Sequence, residues 1–325
     1  MNWLIWRRRL EYLVFRAALC VMQMLSVARG REAAEALAFV FMRLLPRKLT
    51  RYHVAHENLR QALGPDATEA EIHETIRRMW VHLFRVVIEI AQIPRKVRDD
   101  NVLAIVRYDS GRQACWQAFN SGRSVILMGG HFGNWEIANT MFGLFGLPMG
   151  VIARDLDNSY LHDWFKRFRQ YTGHVMISKD GASNDALTLL NKRGHVGLLG
   201  DQDAGARGVF VDFFGKPAST FKSIALMALE TRAVICVGGA IRLPDNWQRD
   251  DGIGPPWSRF ELCCEDVIDP LTMESNDPVG EITRRYTAAI ERMVRRAPEQ
   301  YFWVHRRWKS QPQQRRAAQA LRKAG

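Results

Sequence analysis

The stretch "SVILMGGHFGNWEIA", residues 124–138, passes from a short apolar run into two glycines, a histidine and, five residues after that histidine, a glutamate. A short apolar run that ends in glycines predicts a buried strand, and the residues after Gly133 predict the start of a helix. His131 and Glu136 would then lie at the carboxyl end of the strand, where ligands bind in open α/β sheets. This stretch therefore supplies the first candidates for a functional site.

Further strands are predicted along the chain, and segments with helical periodicity, such as "LHDWFKRFRQYT" and "ASNDALTLLNKRG", lie between them. Residues 1–100 read as helical, with Thr68 as the cap of a long amphipathic helix. Strands that alternate with helices predict an α/β fold with a mostly parallel central sheet flanked by helices. The predicted strands after the first are residues 150–155, 174–178, 195–200, 232–243 and 259–267.

Composition sets the broad class. The chain has 325 residues, of which 47% are hydrophobic and 25% charged, so it can bury a large core in one or two domains. Its five cysteines are odd in number and include no CxxC pair. This pattern favours a reducing compartment, and we expect no structural metal and no cofactor.

The net charge of +12 is concentrated at the two ends of the chain. Residues 1–60 hold 11 Lys and Arg against 4 Asp and Glu, a net of +7, and residues 301–325 hold 7 basic and no acidic residues. The 240 residues between them therefore sum to −2. Basic ends on a nearly neutral body suit an anionic surface, either nucleic acid or lipid headgroups.

The N-terminal residues favour a lipid surface over nucleic acid. Arginines alternate there with tryptophan and aliphatic residues, and the apolar run over residues 12–28 is 17 residues long but interrupted by Arg16 and Gln23. A membrane span usually needs ~20 apolar residues, so we expect a membrane-embedded or interfacial helix and no cleaved signal peptide. The alternative is that these N-terminal segments are ordinary helices that pack on the domain. Nucleic-acid binding is disfavoured because the aromatic residues lie within aliphatic stripes.

These features predict three segments. Residues 1–45 form a membrane-associated helical segment, which includes the second apolar stretch "AAEALAFVFMRLLP" up to the residue before Pro46. Residues 46–310 form the main domain, and residues 311–325 form a basic C-terminal tail.

The pairing of a histidine with a carboxylate suggests general-base chemistry. If the chain turns at Gly129 and Gly130 and enters a helix near Gly133, Glu136 comes within reach of the His131 imidazole. A carboxylate on one ring nitrogen stabilises the imidazolium that forms when the other nitrogen accepts a proton from a hydroxyl. The glycines would also let backbone N–H groups approach a developing oxyanion. A structural histidine, a zinc ligand and a dinucleotide site are the alternatives, and the last two lack HExxH and GxGxxG patterns.

Several motifs together carry a resemblance to a known family. The HxxxxE box "HFGNWE" resembles the signature of bacterial lipid A biosynthesis late acyltransferases, within the lysophospholipid acyltransferase superfamily. The segments "ARDLDNSYLHDWFKRFRQYTG", "VGLLGDQDAGARGVFVDFFGKPASTF" and "EQYFWVHRRWK" are similar to other parts of that family, and so is "ENLRQALGPDATEAEIHETIRRMWVHL" near the N-terminus. The resemblance runs in the family's order over roughly residues 10–310.

The resemblance implies a membrane-associated enzyme at the cytoplasmic face of the bacterial inner membrane. It would move an acyl chain from acyl carrier protein or acyl-coenzyme A to a hydroxyl of a lipid A precursor or related glycolipid. His131 would be the general base and Glu136 its charge partner. Arg154 would bind substrate phosphate, and Asp201 and Gln202, in "DQD", would line the substrate site.

Each of these residues also has a structural interpretation. Arg154 could pair with Asp155 or Asp157 in a loop, and Asp201 and Asp203 could be turn residues before Gly205. The tryptophans and His305 of the C-terminal signature could be core packing, which makes His305 a weak catalytic candidate. "FFG", residues 213–215, reads as a wall that shapes an acyl tunnel.

One segment departs from the family pattern. Related acyltransferases often have a valine-valine-proline near the end of the strand after "FFGKPAST", where this chain has "AVICVGG". The departure bears on the shape of the acyl or acceptor pocket more than on the chemistry.

Other functions remain open from sequence. A glycolipid acceptor is favoured over a glycerophospholipid by the HxxxxE box and by the "DQD" and "FFG" segments. The absence of an FPEGTRS-like motif favours it as well. Acylation of a mannosylated phosphoinositide is a closely related reaction that the sequence does not exclude. A non-catalytic lipid-binding membrane protein is the alternative from another class.

Overall fold

The computed structural model describes residues 3–108, 111–247 and 257–312. The chain begins with helices and then alternates strands with helices, as the hydrophobic pattern predicts. The helices are α1 Trp3–Met24, α2 Val27–Leu44, α3 Tyr52–Leu63, α4 Glu69–Lys96, α5 Val102–Ile105, α6 Arg112–Asn120, α7 Trp135–Leu144, α8 Ser159–Gln170, α9 Ala182–Asn191, α10 Lys222–Thr231 and α11 Pro278–Arg296. The strands are β1 Val106–Tyr108, β2 Val125–Gly129, β3 Met149–Ala153, β4 Val175–Ser178, β5 His195–Leu199, β6 Val209–Phe213, β7 Lys216–Thr220, β8 Val234–Arg242 and β9 Phe260–Ile268.

Seven strands form the central sheet, in the order β1-β9-β8-β2-β5-β3-β4. All neighbouring strands in it are parallel except β8 and β9, which are antiparallel. The prediction of an α/β fold with a mostly parallel central sheet is therefore confirmed. The six predicted strands correspond to β2, β3, β4, β5, β8 and β9.

Three strands were not predicted. β1 is only three residues long, too short for a hydrophobic period to show. β6 and β7 form a separate antiparallel hairpin whose sequences, "VFVDF" and "KPAST", include charged residues and a proline. The turn between them places Phe214 and Gly215 at positive φ, as a tight hairpin turn requires.

The sheet is covered on both faces, as parallel sheets require. Along β2 the side chains alternate: Ile126 and Met128 join the core cluster formed with α9, α10 and α11, whereas Val125 and Leu127 face the cluster formed with α6 and α7. α4 begins with a capping box between Thr68 and Glu71, which confirms Thr68 as its cap.

The N-terminal helices pack on the rest of the chain through one face only. Gln92 on α4 donates hydrogen bonds to the carbonyls of Met22 and Leu25, and Phe15 packs edge-on against Trp164 of α8 with ring centroids 5.0 Å apart. The other face leaves large apolar side chains in solvent, including Trp3 at 77% exposure. Within the three described ranges, we find no helix with both the length and the apolar character needed to cross a bilayer.

Candidate active site

The carboxyl ends of three adjacent parallel strands place the candidate residues at one edge of the sheet. β2 ends at Gly129, two residues before His131; β5 ends at Leu199, two residues before Asp201; and β3 ends at Ala153, directly before Arg154. Because β5 lies between β2 and β3, Asp201 falls between the other two candidates in the sheet order. The topology thus assembles residues that are far apart in sequence.

His131 and Asp201 form a close pair. The Nδ1 atom of His131 lies 2.8 Å from Oδ1 of Asp201, and the backbone N–H of His131 donates to Oδ2 at 2.7 Å. A carboxylate only accepts hydrogen bonds, so Nδ1 carries the proton and Nε2 keeps its lone pair. The Asp201 side chain is almost fully buried, whereas His131 is 22% exposed and lines a cavity of about 570 Å³. The pair therefore has the arrangement of a general base with a buried charge partner.

Electrostatics support that arrangement. Burial disfavours the charged form of His131, but the charge of Asp201 and its hydrogen bond outweigh burial and raise the pKa of the imidazole. Burial also acts against the Asp201 carboxylate, yet His131 and then His305 hold the pKa of Asp201 well below its ordinary value. Asp201 is thus ionised at neutral pH and stabilises an imidazolium at His131.

Glu136 has a different partner from the one predicted. Its buried carboxylate accepts hydrogen bonds from Nε and Nη2 of Arg169 on α8, the latter at 2.5 Å. α7 begins at Trp135, so the Trp135 ring is the one that faces the imidazole, with centroids 5.5 Å apart. Glu136, one residue further around the helix, is directed toward α8. Within the described chain, the charge partner of His131 is therefore Asp201.

The loop that carries His131 is tightly fixed. Gly133 has φ of +59°, and a Cβ there would lie 2.0 Å from the carbonyl oxygen of Ala240. The backbone N–H of Gly133 donates to the carbonyl of Gln300, and that of Asn134 donates to the carbonyl of Ala240. These two N–H groups, and that of His131, are already used, so they are not the oxyanion donors that the glycine-rich sequence suggested.

A buried ionic network supports this loop from behind. Glu89 on α4 accepts from Arg242 of β8 and from Nδ2 of Asn134, the N-cap residue of α7, the latter at 2.8 Å. His82 lies beside Arg242 and bonds the carbonyl of Gly133 through Nε2 at 3.0 Å. Burial and then the Arg242 charge lower the pKa of His82 well below its ordinary value, so it is neutral. This network was not predicted from the sequence, where its only signal was a histidine and a glutamate seven residues apart on the amphipathic helix α4.

The C-terminal signature packs behind the loop that carries His131. The Phe302 N–H donates to the carbonyl of His131, and Phe132 pairs with Tyr301 in an isolated β-bridge. His305 is buried, with Nε2 3.5 Å from Asp201 Oδ2 and 3.2 Å from the Tyr301 hydroxyl. Its ring centroid lies 6.2 Å from that of His131. His305 therefore contacts the charge partner rather than the cavity.

The remaining candidates divide between the cavity and the core. Arg154 and Gln202 line the cavity, and the Arg154 side chain is 80% exposed with Asp157 3.7 Å away. Asp203 is a loop residue, since it accepts from the N–H of Gly205 and from Ser310. Phe213 and Phe214 are buried against the C-terminal aromatic residues and do not line the 570 Å³ cavity, which contradicts their prediction as a tunnel wall.

Comparison with known proteins identifies the family of the chain. The sequence profile of the bacterial lipid A biosynthesis acyltransferase family matches residues 4–310. The chain belongs to this family. It is accordingly an acyltransferase, and the resemblance stated from its motifs is confirmed.

Individual relatives are distant. A lipid A biosynthesis acyltransferase of Haemophilus influenzae is 28% identical over 77% of this chain and 73% of its own length. The lipid A biosynthesis palmitoleoyltransferase of Escherichia coli is also 28% identical, over 58% of this chain and 57% of its own. A phosphatidylinositol mannoside acyltransferase of Mycolicibacterium smegmatis is 27% identical over 43% of this chain and 45% of its own length.

Proposed function

We propose that this acyltransferase moves a fatty acyl chain from an acyl thioester to a hydroxyl of a lipid A precursor or a related glycolipid. The observation that carries the proposal is the His131–Asp201 pair at the edge of a cavity large enough for lipid. The family and the names of its relatives supply the class of acceptor.

In this mechanism Nε2 of His131 removes the proton of the acceptor hydroxyl as its oxygen attacks the thioester carbonyl. The imidazolium is stabilised by Asp201, and it returns the proton to the thiolate that leaves when the tetrahedral intermediate collapses. A free thiol and an acylated glycolipid are the products, and no acyl-enzyme forms. The donor is the thioester of acyl carrier protein or of coenzyme A.

Glu136 contributes to the site by binding Arg169. Arg169 also lines the cavity, and its Nε and Nη2 donate hydrogen bonds to Glu136. Burial disfavours the guanidinium charge, but the Glu136 carboxylate outweighs this and raises the pKa of Arg169. Glu136 is therefore a positioning residue in our account, which holds a cation in the cavity wall.

Further cations line the cavity and suit a phosphorylated acceptor. Lys166 on α8 and Lys179 after β4 join Arg154 and Arg169 in its lining. Because Arg154 is exposed and only loosely paired with Asp157, its guanidinium is available to hold two phosphate oxygens at once.

We expect Arg154→Lys to lower kcat/KM with a phosphorylated acceptor, and Arg154→Ala to lower it further, by roughly 10- to 100-fold. Lysine keeps the charge but loses the two-pronged contact, whereas alanine loses both. Acceptor-independent hydrolysis of the thioester should change much less, and Arg207→Ala, at an exposed arginine outside the cavity lining, serves as the control. Equal losses of transfer and hydrolysis would contradict a role in acceptor binding.

The exposed apolar face of α1 and α2 supports attachment to a membrane surface. On α1 it includes Trp6, Leu10 and Leu13, among arginines that suit anionic headgroups. α1 also contacts the cavity helix α8, where Arg9 donates to the Tyr160 hydroxyl at 3.1 Å. We propose that residues 1–45 attach residues 46–310 to the cytoplasmic face of the inner membrane. Of the proposed basic tail, residues 313–325 lie outside the described residues.

Replacing Trp6, Leu10 and Leu13 together with glutamine should weaken binding to vesicles that contain anionic phospholipid by at least about 100-fold, because each apolar side chain contributes roughly 1.5–3 kcal/mol when buried. Vesicle flotation measures the bound fraction. Leu271→Gln, at a comparably exposed leucine of the main body, is the control and should bind as the wild type does. Full flotation of the triple variant would show that attachment lies elsewhere.

A mannosylated phosphoinositide is the second candidate acceptor, favoured by the mycobacterial relative. Glycerophospholipid precursors remain a weaker alternative. The close His131–Asp201 pair argues against a lipid-binding protein without catalysis.

Mass spectrometry of total glycolipids tests the proposal in a strain that lacks the gene and in the same strain complemented with wild type or with His131→Ala. We expect one glycolipid to lose one acyl chain and only the wild type to restore it, whereas unchanged glycolipids would contradict the proposal.

A further inference from the structure

A second, smaller cavity adjoins the one that holds the candidate site. Its volume is about 50 Å³, and it lies between α6, α7 and the β8–β9 side of the sheet. Four residues line both cavities: Leu127, Ala138, Gly238 and Gly239. The small cavity is therefore the next compartment beyond Leu127, and we refer to it as the α6 chamber.

The path to the α6 chamber runs along the α7 face of the sheet. Leu127 lies opposite Gly197 of β5, and Gly197 lies opposite Val151 of β3. A Cβ built at Gly197 would meet its nearest neighbours, the Met149 side chain and Asn139, at 3.5 and 3.8 Å. These are ordinary contact distances, so the missing side chain at Gly197 leaves room between the sheet and α7.

The opposite face of the sheet also borders the large cavity, but its side chains are tightly packed. A Cβ built at Gly200 would lie 2.4 Å from the terminal methyl of Met128 and 2.9 Å from Cδ1 of Ile224. Ile224 and Met227 of α10 are both buried in the main core cluster, although they also border the large cavity. A long flexible chain that enters near His131 can therefore extend between the sheet and α7, but not between the sheet and α10.

The far end of the chamber is lined mainly by apolar side chains, with Arg112 among the lining residues. Trp116, Phe119 and Phe142 supply aromatic walls, together with the Cys115 and Cys264 thiols. A hydrogen bond with Cys115 raises the pKa of Cys264 to about 12, so this thiol is uncharged at neutral pH. A Cβ at Gly238 would lie 2.2 Å from the carbonyl oxygen of Cys263, so the wall there admits only glycine. Gly238 and Gly239 end the "AVICVGG" run, where the sequence departs from its relatives.

We propose that the terminal carbons of the donor's acyl chain occupy the α6 chamber, and that Leu127 at its entrance sets the longest chain transferred. The inference rests on the proposed acyl transfer. Leu127 precedes His131 by four residues, about 13 Å at ~3.3 Å per residue of extended chain, so it meets the acyl chain well away from the thioester. Its substitution therefore changes selectivity for length rather than the chemistry.

The test measures kcat/KM for a series of saturated acyl thioesters, two carbons apart, with the wild type and three variants. Leu127→Phe narrows the entrance, and Gly197→Val fills the path before it. We expect both to shift the optimum to shorter chains, with a loss of about 10-fold or more for each methylene that no longer fits. Leu198→Phe is the matched control, because Leu198 follows Gly197 on the same strand but borders the cavity from the opposite face of the sheet.

Retained transfer of the shortest donors shows that each variant is folded and chemically competent. An optimum that shifts in Leu198→Phe but not in Leu127→Phe or Gly197→Val would overturn the proposal and place the chain on the α10 face. An unchanged optimum in all three variants would overturn it as well. Failure of the wild type to transfer any acyl chain would instead refute the proposed function on which the inference rests.

Discussion

His131→Ala should lower kcat/KM for acyl transfer about 100- to 10,000-fold, the range that a general base typically contributes. The His131 imidazole lines the cavity and keeps a lone pair on Nε2, whereas alanine has no group that accepts a proton. The fold should persist, because the ring is partly exposed and the loop is held by backbone hydrogen bonds to Ala240, Gln300 and Phe302.

A second histidine of the same cavity provides the matched control. His162 on α8 also lines the cavity, but its nearest carboxylate, Asp155, is 3.8 Å away and well exposed. We expect His162→Ala to keep most of its transfer activity. Thermal unfolding of both variants checks the fold, and turnover at the wild-type rate by folded His131→Ala would refute the mechanism.

Asp201→Asn should cost nearly as much as the loss of His131, again about 100- to 10,000-fold, although the side chain keeps its size. Asparagine has no charge to stabilise the imidazolium. Its amide N–H₂ also donates to Nδ1, which moves the ring proton to Nε2 and removes the lone pair that the reaction needs. Activity is measured with saturating acceptor so that a change of kcat is separated from a change of KM.

Glu136→Gln is the informative comparison, because both substitutions remove one buried carboxylate charge near His131. Glutamine at position 136 leaves the Arg169 charge without its partner, so we expect lower stability and weaker substrate binding, with a smaller effect on kcat. A larger loss of kcat in Glu136→Gln than in Asp201→Asn would show that the sequence-based pairing of His131 with Glu136 describes the chemistry better.

The fold could be predicted from sequence wherever a segment had a clear hydrophobic pattern of its own. The strands β2, β5 and β8 are continuous apolar runs, and α4 combines an apolar stripe with a Thr68 cap. The hairpin of β6 and β7 carries no such run. It is stabilised by Phe213 and Phe214, which pack against a C-terminal segment some 90 residues away in sequence.

The candidate site was predictable in its residues but not in its pairing. His131 and Glu136 are five residues apart, which made them appear partners, yet the start of α7 at Trp135 directs them to different neighbours. Asp201 lies 70 residues from His131 and reaches it only because β5 pairs with β2. The same holds for the support of the loop by Glu89 and Arg242, a contact across 153 positions that no local pattern encodes.

The pH dependence of kcat/KM tests the role of Asp201 most directly, because the acidic limb reports the pKa of the base in the free enzyme. His131 must be neutral to act, and Asp201 raises its pKa, so wild-type activity should fall on acidification at a pH above the ordinary histidine value of about 6.5. In Asp201→Asn burial alone remains and lowers the pKa, so the residual activity should persist to more acidic pH, whereas Glu136→Gln should keep the wild-type limb. An acidic limb that is unchanged in Asp201→Asn, or that moves in Glu136→Gln instead, would contradict the account.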